Sequence, residues 1–349
     1  MSTMIHERPG VYSSYDASTV VRSGVGSKVD GIAAQSEKGA VDAVTLLTSY
    51  AAGVTAFGET GAMTPLLRLL FLNGATAVKA VRVESSTTYT DAFDLLALEE
   101  DIQIVVCDSA DATVQQALRT SIESASGARR ERIAVVGGDD EDVEDLIAHA
   151  SALNSERMVR VGPDVLDTAG ESPSGAYPAA ALAGLLASSA DPAVPINGAA
   201  LQGLGGVAVQ YSDNDVDLLV RGGVTPLEAV GGVVSPIRGI TTRTKTGGTA
   251  DSTWRELTTI LIVDDVIPAV RTALRSKFSR AKNTTQTRGA IRSQVIVELE
   301  RKVAQEIIDS YGDVTAEVDT ADPTVCVVEF SFSVSHGLNQ IYLTAHITV

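Results

Sequence analysis

Between residues 102 and 161 the chain repeats one pattern: a short, almost wholly apolar run, then a longer stretch with apolar residues three and four apart. The apolar runs 102–107, 132–136 and 158–161 read as buried strands, and the stretches 112–124 and 141–153 as helices. A further helix, 89–99, precedes the first of these strands. Strand–helix–strand–helix–strand at this spacing predicts parallel pairing through right-handed crossovers, an α/β layer. Upstream, 41–47 and 77–83 read as strands. Residues 66–72 read as a buried helix with Pro65 in its first turn and Asn73-Gly74 at its end. Downstream, the Ala-rich 176–189 reads as a helix, 191–250 as Gly-, Pro- and Thr-rich chain with short strands, and 265–278 and 290–311 as helices, the first with Pro268 in its opening turn.

Both ends read as extended. After the Pro9-Gly10 turn come Val11-Tyr12-Ser13-Ser14-Tyr15 and then Ser18-Thr19-Val20-Val21, an arm with no core of its own. Near the C-terminus Phe330, Phe332 and Val334 share one face. Ile341, Leu343, Ala345, Ile347 and Val349 then oppose Tyr342, Thr344, His346 and Thr348, so the sequence closes in a half-buried strand.

At about 100–200 residues per domain, 349 residues predict two domains, with three as the upper bound. The net charge of −17 argues against coating nucleic acid as the main role. The cysteines, Cys107 and Cys326, sit in apolar runs and read as buried reduced thiols. They make no metal-ligand spacing with His6, His149, His336 or His346. The opening residues lack a secretory pattern, and no apolar run reaches the roughly 18 residues of a membrane helix.

Catalytic motifs are scarce. No phosphate-binding loop, nucleophile elbow or HExxH is present. Gly137-Gly138-Asp139 follows a strand and precedes a helix, the place where open α/β sheets bind ligands. The acids that follow, through Asp145, repel phosphate and suit a helix N-terminus; a divalent-cation site is the other reading. Asp108, closing the strand 102–107, reads as a helix cap or as part of such a site.

One charge feature stands apart. Residues 266–292 hold Arg271, Arg275, Lys277, Arg280, Lys282, Arg288 and Arg292 and no acid. Arg271 and Arg275, four apart, share a helix face. Such a face can pair with acids of its own chain, with an acidic partner protein, or with nucleic acid.

Several segments, in order from residue 8 to 344, resemble the contractile tail sheath family of phages, R-type bacteriocins and related injection systems. Arg8-Pro9-Gly10-Val11-Tyr12 is similar to the family's PGVY opening. Phe57-Gly58, Leu70-Phe71-Leu72-Asn73-Gly74 and Val78-Lys79-Ala80-Val81-Arg82-Val83 resemble its FF-NGG…vRV stretch, with Ala75 where the second glycine falls. Asp191-Pro192 with Pro195-Ile196-Asn197-Gly198, Leu218 to Thr225, Ile237 to Thr244, Asn283, and Asn339-Gln340-Ile341-Tyr342-Leu343-Thr344 resemble its later motifs.

The resemblance implies a non-enzymatic, cofactor-free subunit that stacks in hexameric rings around an inner tube and contracts from a metastable extended lattice. Tails donating strands to neighbouring copies would make the mesh, with Val11, Tyr12, Tyr15, Val20, Val21, Ile341, Leu343, Ala345, Ile347 and Val349 as their residues. Arg271, Arg275, Lys277, Arg280 and Lys282 would face the tube. The other implied partners are baseplate and tail terminator proteins, with no nucleic acid and no membrane insertion, in a virion tail or tail-like particle made in the host cytoplasm. The expected fold is α/β and α+β. An inner mixed-sheet domain (1–25 with 240–349) carries the arms, and an outer α/β layer domain (26–239) is inserted in it. The rival expectations are an α/β nucleotide-binding or enzyme domain using Asp108 and Gly137–Asp139, and another self-assembling component such as a tube or capsid protein.

Overall fold

The computed structural model describes residues 28–85, 88–138 and 142–339. The arm positions Val11, Tyr12, Tyr15, Val20, Val21, Ile341, Leu343, Ala345, Ile347 and Val349, and Asp139 of the rival site, lie outside the described residues.

In chain order the first elements are β1 (Val29–Gln35), β2 (Val44–Leu47), α1 (Tyr50–Phe57), α2 (Met63–Leu72), β3 (Val78–Val83), α3 (Tyr89–Leu98), β4 (Ile102–Cys107) and α4 (Ala112–Gly127). There follow β5 (Ile133–Val136), α5 (Val143–Leu153), β6 (Met158–Gly162), β7 (Val165–Leu166), α6 (Ala176–Ser188), β8 (Gly206–Val207), α7 (Asp213–Gly222), β9 (Val224–Val230) and β10 (Val233–Pro236). β11 (Lys245–Thr246) and β12 (Thr249–Ala250) form a small hairpin; α8 (Leu257–Phe278), α9 (Thr285–Ala304), β13 (Ile308–Tyr311), β14 (Thr315–Val318), β15 (Cys326–Glu329) and β16 (Phe332–Val334) complete the described chain.

Eight strands form one mixed sheet in the order β10-β9-β6-β5-β4-β1-β3-β2. The inner strands, β9 through β3, pair in parallel, and β10 and β2 close the edges antiparallel. Alternate residues of each strand enter different cores, as the two-residue side-chain period requires. Ile32, Ile104, Val106, Val135 and Val159 meet α2 and α6 on one face. Ala33, Val105, Ala134 and Val136 meet α3 and α4 on the other. Burial on both faces is why these strands read as unbroken apolar runs.

The inner helix α6 is buried almost all round, which explains its alanines. It crosses α2 so closely that a Cβ on Gly184 would lie 2.4 Å from the Leu70 carbonyl oxygen. α7 was not foreseen from the sequence. Only Leu219 and Val220 of it are buried, and a Ser212–Asp215 capping box fixes its start. The short α1, capped by Ser49, was also unforeseen.

The C-terminal part folds on its own core. α8 and α9 form an antiparallel hairpin, and Ile262, Val266, Val270, Val295, Leu299, Ile308 and Val314 pack together. Leu257 and Ile260, in the first turn of α8, belong instead to the core of the large sheet. α8 therefore starts eight residues before the expected 265, and Pro268 lies at its middle, not in its first turn. There the proline withholds an amide hydrogen from the Asp264 carbonyl. The expected helix 290–311 is α9, which ends at Ala304. Glu306 takes a left-handed φ of 60°, the Ile307 amide donates to the Lys302 carbonyl at 3.1 Å, and the chain turns into β13.

The alternation through Phe330, Phe332 and Val334 is not one strand. β15 pairs with β14, β16 pairs with β13, and the chain changes ribbon at Phe330-Ser331, where the Ser331 carbonyl accepts from the Gly312 amide at 2.9 Å.

Candidate assembly surfaces

The rival ligand site can be judged first. At the C-terminal ends of β1 and β4, where the strand order reverses, Asp108 accepts from the Gln35 amide at 2.9 Å and from the Tyr89 hydroxyl. Asp108 caps no helix; Asp111 caps α4, accepting from the Thr113 and Val114 amides. Burial pushes the Asp108 carboxyl up, against the pull of these donors. Next along the sheet, a Cβ on Gly137 would lie 1.6 Å from the Gly175 carbonyl oxygen, so the loop entering α6 lies directly on the strand end. Arg160, 1% exposed, fills the remaining space. It donates to Gln115 at 3.0 Å and lies 3.2 Å from His149 Nδ1. The cavity left there is about 20 Å³, room for about one water. Among the described residues no group of three metal-ligating side chains converges, and no helix is long and apolar enough to cross a membrane. Cys107 is buried, its thiol pushed by that burial to about 12; Cys326, expected to be buried, is half-buried.

The basic run lies on the last turns of α8 and the loop into α9. Arg275, Lys277, Arg280 and Lys282 are exposed and make no ion pair among the described residues; Lys277 donates to Gln294. The loop is held in place by Asn283, whose amide donates to the Pro323 carbonyl at 2.9 Å and the Val325 carbonyl at 3.0 Å. Arg271 is different. Its guanidinium forks onto Glu131, one bond at 3.1 Å, between α8 and the α4–β5 connection. Burial is the largest single influence on Glu131 and opposes its charge, but the Arg271 hydrogen bonds, a backbone hydrogen bond and the charges of Arg271 and Arg157 together outweigh it and hold the carboxyl below its usual range. Of the readings open for this face, pairing with an acid of its own chain therefore holds at Arg271. A second fork, Arg157 to Asp264 at 2.8 and 2.9 Å, ties the start of β6 to α8.

The other exposed feature is a pair of two-stranded ribbons, β13–β16 and β14–β15. Each strand has one edge unpaired among the described residues, and Val318 and Val327 of the second ribbon, with Val325 just before it, are 40–42% exposed. Isolated two-stranded ribbons are marginal in water, and an open edge is a template for another strand. Sequence periodicity marks these strands but cannot say that they pair only two by two.

A filled ligand crevice, a cationic helical tip and open ribbon edges define a structural building block. Two family models match: the phage tail sheath protein central domain over residues 83–242 and the phage tail sheath C-terminal domain over 249–348. The chain belongs to the contractile tail sheath family. A curated tail sheath protein of Bacillus phage SP01 is 30% identical over 273 residues, covering 75% of this chain; the chain spans 46% of that relative's length. The fold matches a sheath tail protein of Listeria innocua with a TM-score of 0.73 at 11% identity, covering 88% of this chain and 92% of that one. It matches the sheath of an extracellular contractile injection system, PVC, solved in the contracted state, with a TM-score of 0.74 at 16% identity and 99% coverage of both chains.

Proposed function

We propose that this subunit polymerises as stacked hexameric rings around an inner tube, each copy donating its tails to the sheets of its neighbours, and that contraction of the lattice drives the tube through a target envelope. The observation that carries this reading is the pair of incomplete ribbons on the α8–α9 hairpin, whose edges would accept extended segments through main-chain hydrogen bonds. The sequence suits that role: 341–349 alternates apolar and polar positions, and 11–21 reads as an arm with no core of its own. On this reading an inner domain comprises 1–25 and 240–349 and an outer one 26–239. Head-to-tail repetition of one such contact generates a helical filament. The exposed cations Arg275, Lys277, Arg280 and Lys282 suit an acidic tube surface. Exposed ion contacts are weak and screened, which lets a tube be released. Arg271, neutralised by Glu131, contributes less to such a surface. The baseplate and a tail terminator would bound the polymer, in a virion tail or tail-like particle made in the host cytoplasm.

Removal of residues 341–349 tests the reading. The truncated chain is expected to stay folded, with an unchanged circular dichroism spectrum, yet to form no striated cylinders in negative-stain microscopy. Cylinders of normal length from it would overturn strand donation.

A further inference from the structure

The two ends of the described chain converge on one short loop. Lys28, the first described residue after the N-terminal arm, donates from Nζ to the Ser189 carbonyl at 3.1 Å and the Leu186 carbonyl at 3.3 Å, where α6 ends. Asn339, the last described residue before the C-terminal segment, accepts on Oδ1 from the Asn197 amide at 2.9 Å. Two residues earlier, Gly337 lies against Pro195, so close that a Cβ on it would be 3.0 Å from the ring. Residues 189–197 thus hold both roots, one at each end.

The loop is stiff within itself; Pro192 and Ile196 are buried, Ile196 in the core of the large sheet, while open space lies along its other sides. Pro192 and Pro195 fix two backbone angles. The Asp191 carboxylate accepts from the Ala193 amide at 2.9 Å, and the Ser189 hydroxyl donates to the Asp191 carbonyl at 3.0 Å. Around it lie three cavities. One of about 310 Å³ separates it from Arg255, Glu256 and His336. One of about 260 Å³ lies between it, Lys28, Asp264 and Asp265. One of about 510 Å³ lies toward Gly74, Thr76 and Leu185. A short rigid piece anchored by Ile196, with space on its other sides, passes a shift from one end to the other more readily than it bends.

We infer that residues 189–197 are a clasp that couples the two tail roots, so that displacing one tail at its root displaces the other. In a lattice held together by tails this would make the pull on one neighbour felt at the contact with another. What the tails do rests on the proposed function; the coupling does not, because it is read on the unassembled subunit. The Lys28 amine is largely buried, which pushes its pKa down, while Asp265, Asp30 and Asp191 oppose that shift.

Hydrogen exchange with mass spectrometry on the full chain is the test. Lys28→Met removes the donor at one end; Asn197→Ala removes it at the other. Lys28→Met is expected to speed exchange of the amides at 335–339 by about five-fold, and Asn197→Ala that of Val29 and Asp30 similarly, with β4 and β5 unchanged. Should Lys28→Met fold poorly, the exposed Asn339→Ala is read at Val29 and Asp30 instead. Faster exchange confined to the root that was altered overturns the coupling. Cylinders from the 341–349 truncation would leave this result standing and remove only strand donation.

Discussion

The fork between Arg157 and Asp264 ties the eight-stranded sheet to α8. Both side chains are nearly buried, 13% and 14% exposed, and two bonds of 2.8 and 2.9 Å join them. Replacing Arg157 by Leu leaves Asp264 without its counter-charge in a site where burial already pushes its carboxyl up, against the opposing pull of Arg157. Breaking a buried pair from one side costs about 3–5 kcal/mol, and the residual exposure here favours the low end, about 3 kcal/mol. Unfolding entropy near 60 °C is about 2.1 cal/mol/K per residue, so a 349-residue chain loses about 4 °C of Tm for that amount. Asp264→Leu should cost slightly less, because Arg157 also donates to the Arg132 carbonyl at 3.0 Å and keeps that bond. The double variant Arg157→Leu/Asp264→Leu leaves no unpaired charge and should melt within about 1 °C of the parent. Differential scanning calorimetry at pH 7 reads all three. A double variant that loses the sum of the two single effects, about 8 °C, would refute the reasoning, since the residues would then stabilise independently.

Reversing Arg275, Lys277, Arg280 and Lys282 to Glu should leave the melting temperature and self-assembly unchanged, because all four are exposed and unpaired among the described residues, yet abolish assembly on a tube. Normal tube-bound particles in electron micrographs would remove the tip from the tube interface. Asp30 sits fully buried in β1 with neither carboxylate oxygen hydrogen-bonded; burial raises its pKa well above normal, with Lys28 pulling the other way. A folded pKa above the unfolded one of about 3.9 means that the parent's stability is fullest below that value and falls as pH rises toward the folded one. Asp30→Asn should therefore melt higher than the parent at pH 7, with the gap closing toward pH 4; a gap independent of pH would contradict this.

What could be read from the sequence follows from burial. β4, β5 and β6 were legible because both their faces are covered, leaving apolar runs that admit few other structures. α7 was not, because only two of its residues are buried. The start of α8 was misjudged because Pro268 suggested a first turn, while the true first turns serve a different core from the rest of the helix. The ribbon change at Phe330-Ser331 leaves the alternation intact on both sides, so periodicity passes over it. The cationic tip was visible as a run of residues. The partner of Arg271, Glu131, lies 140 positions away and becomes its neighbour only through the fold. The clasp was hidden for the same reason: its three segments touch only in space.

α8 runs unbroken for 22 residues, about 33 Å, with its opening turn planted in the large sheet's core and its later turns in the hairpin's. Between these footings the one built-in weak point is Pro268, where a backbone hydrogen bond is missing. A push delivered at the cationic end therefore reaches the large sheet as leverage, and any bend on the way is concentrated at that one residue rather than spread along the shaft.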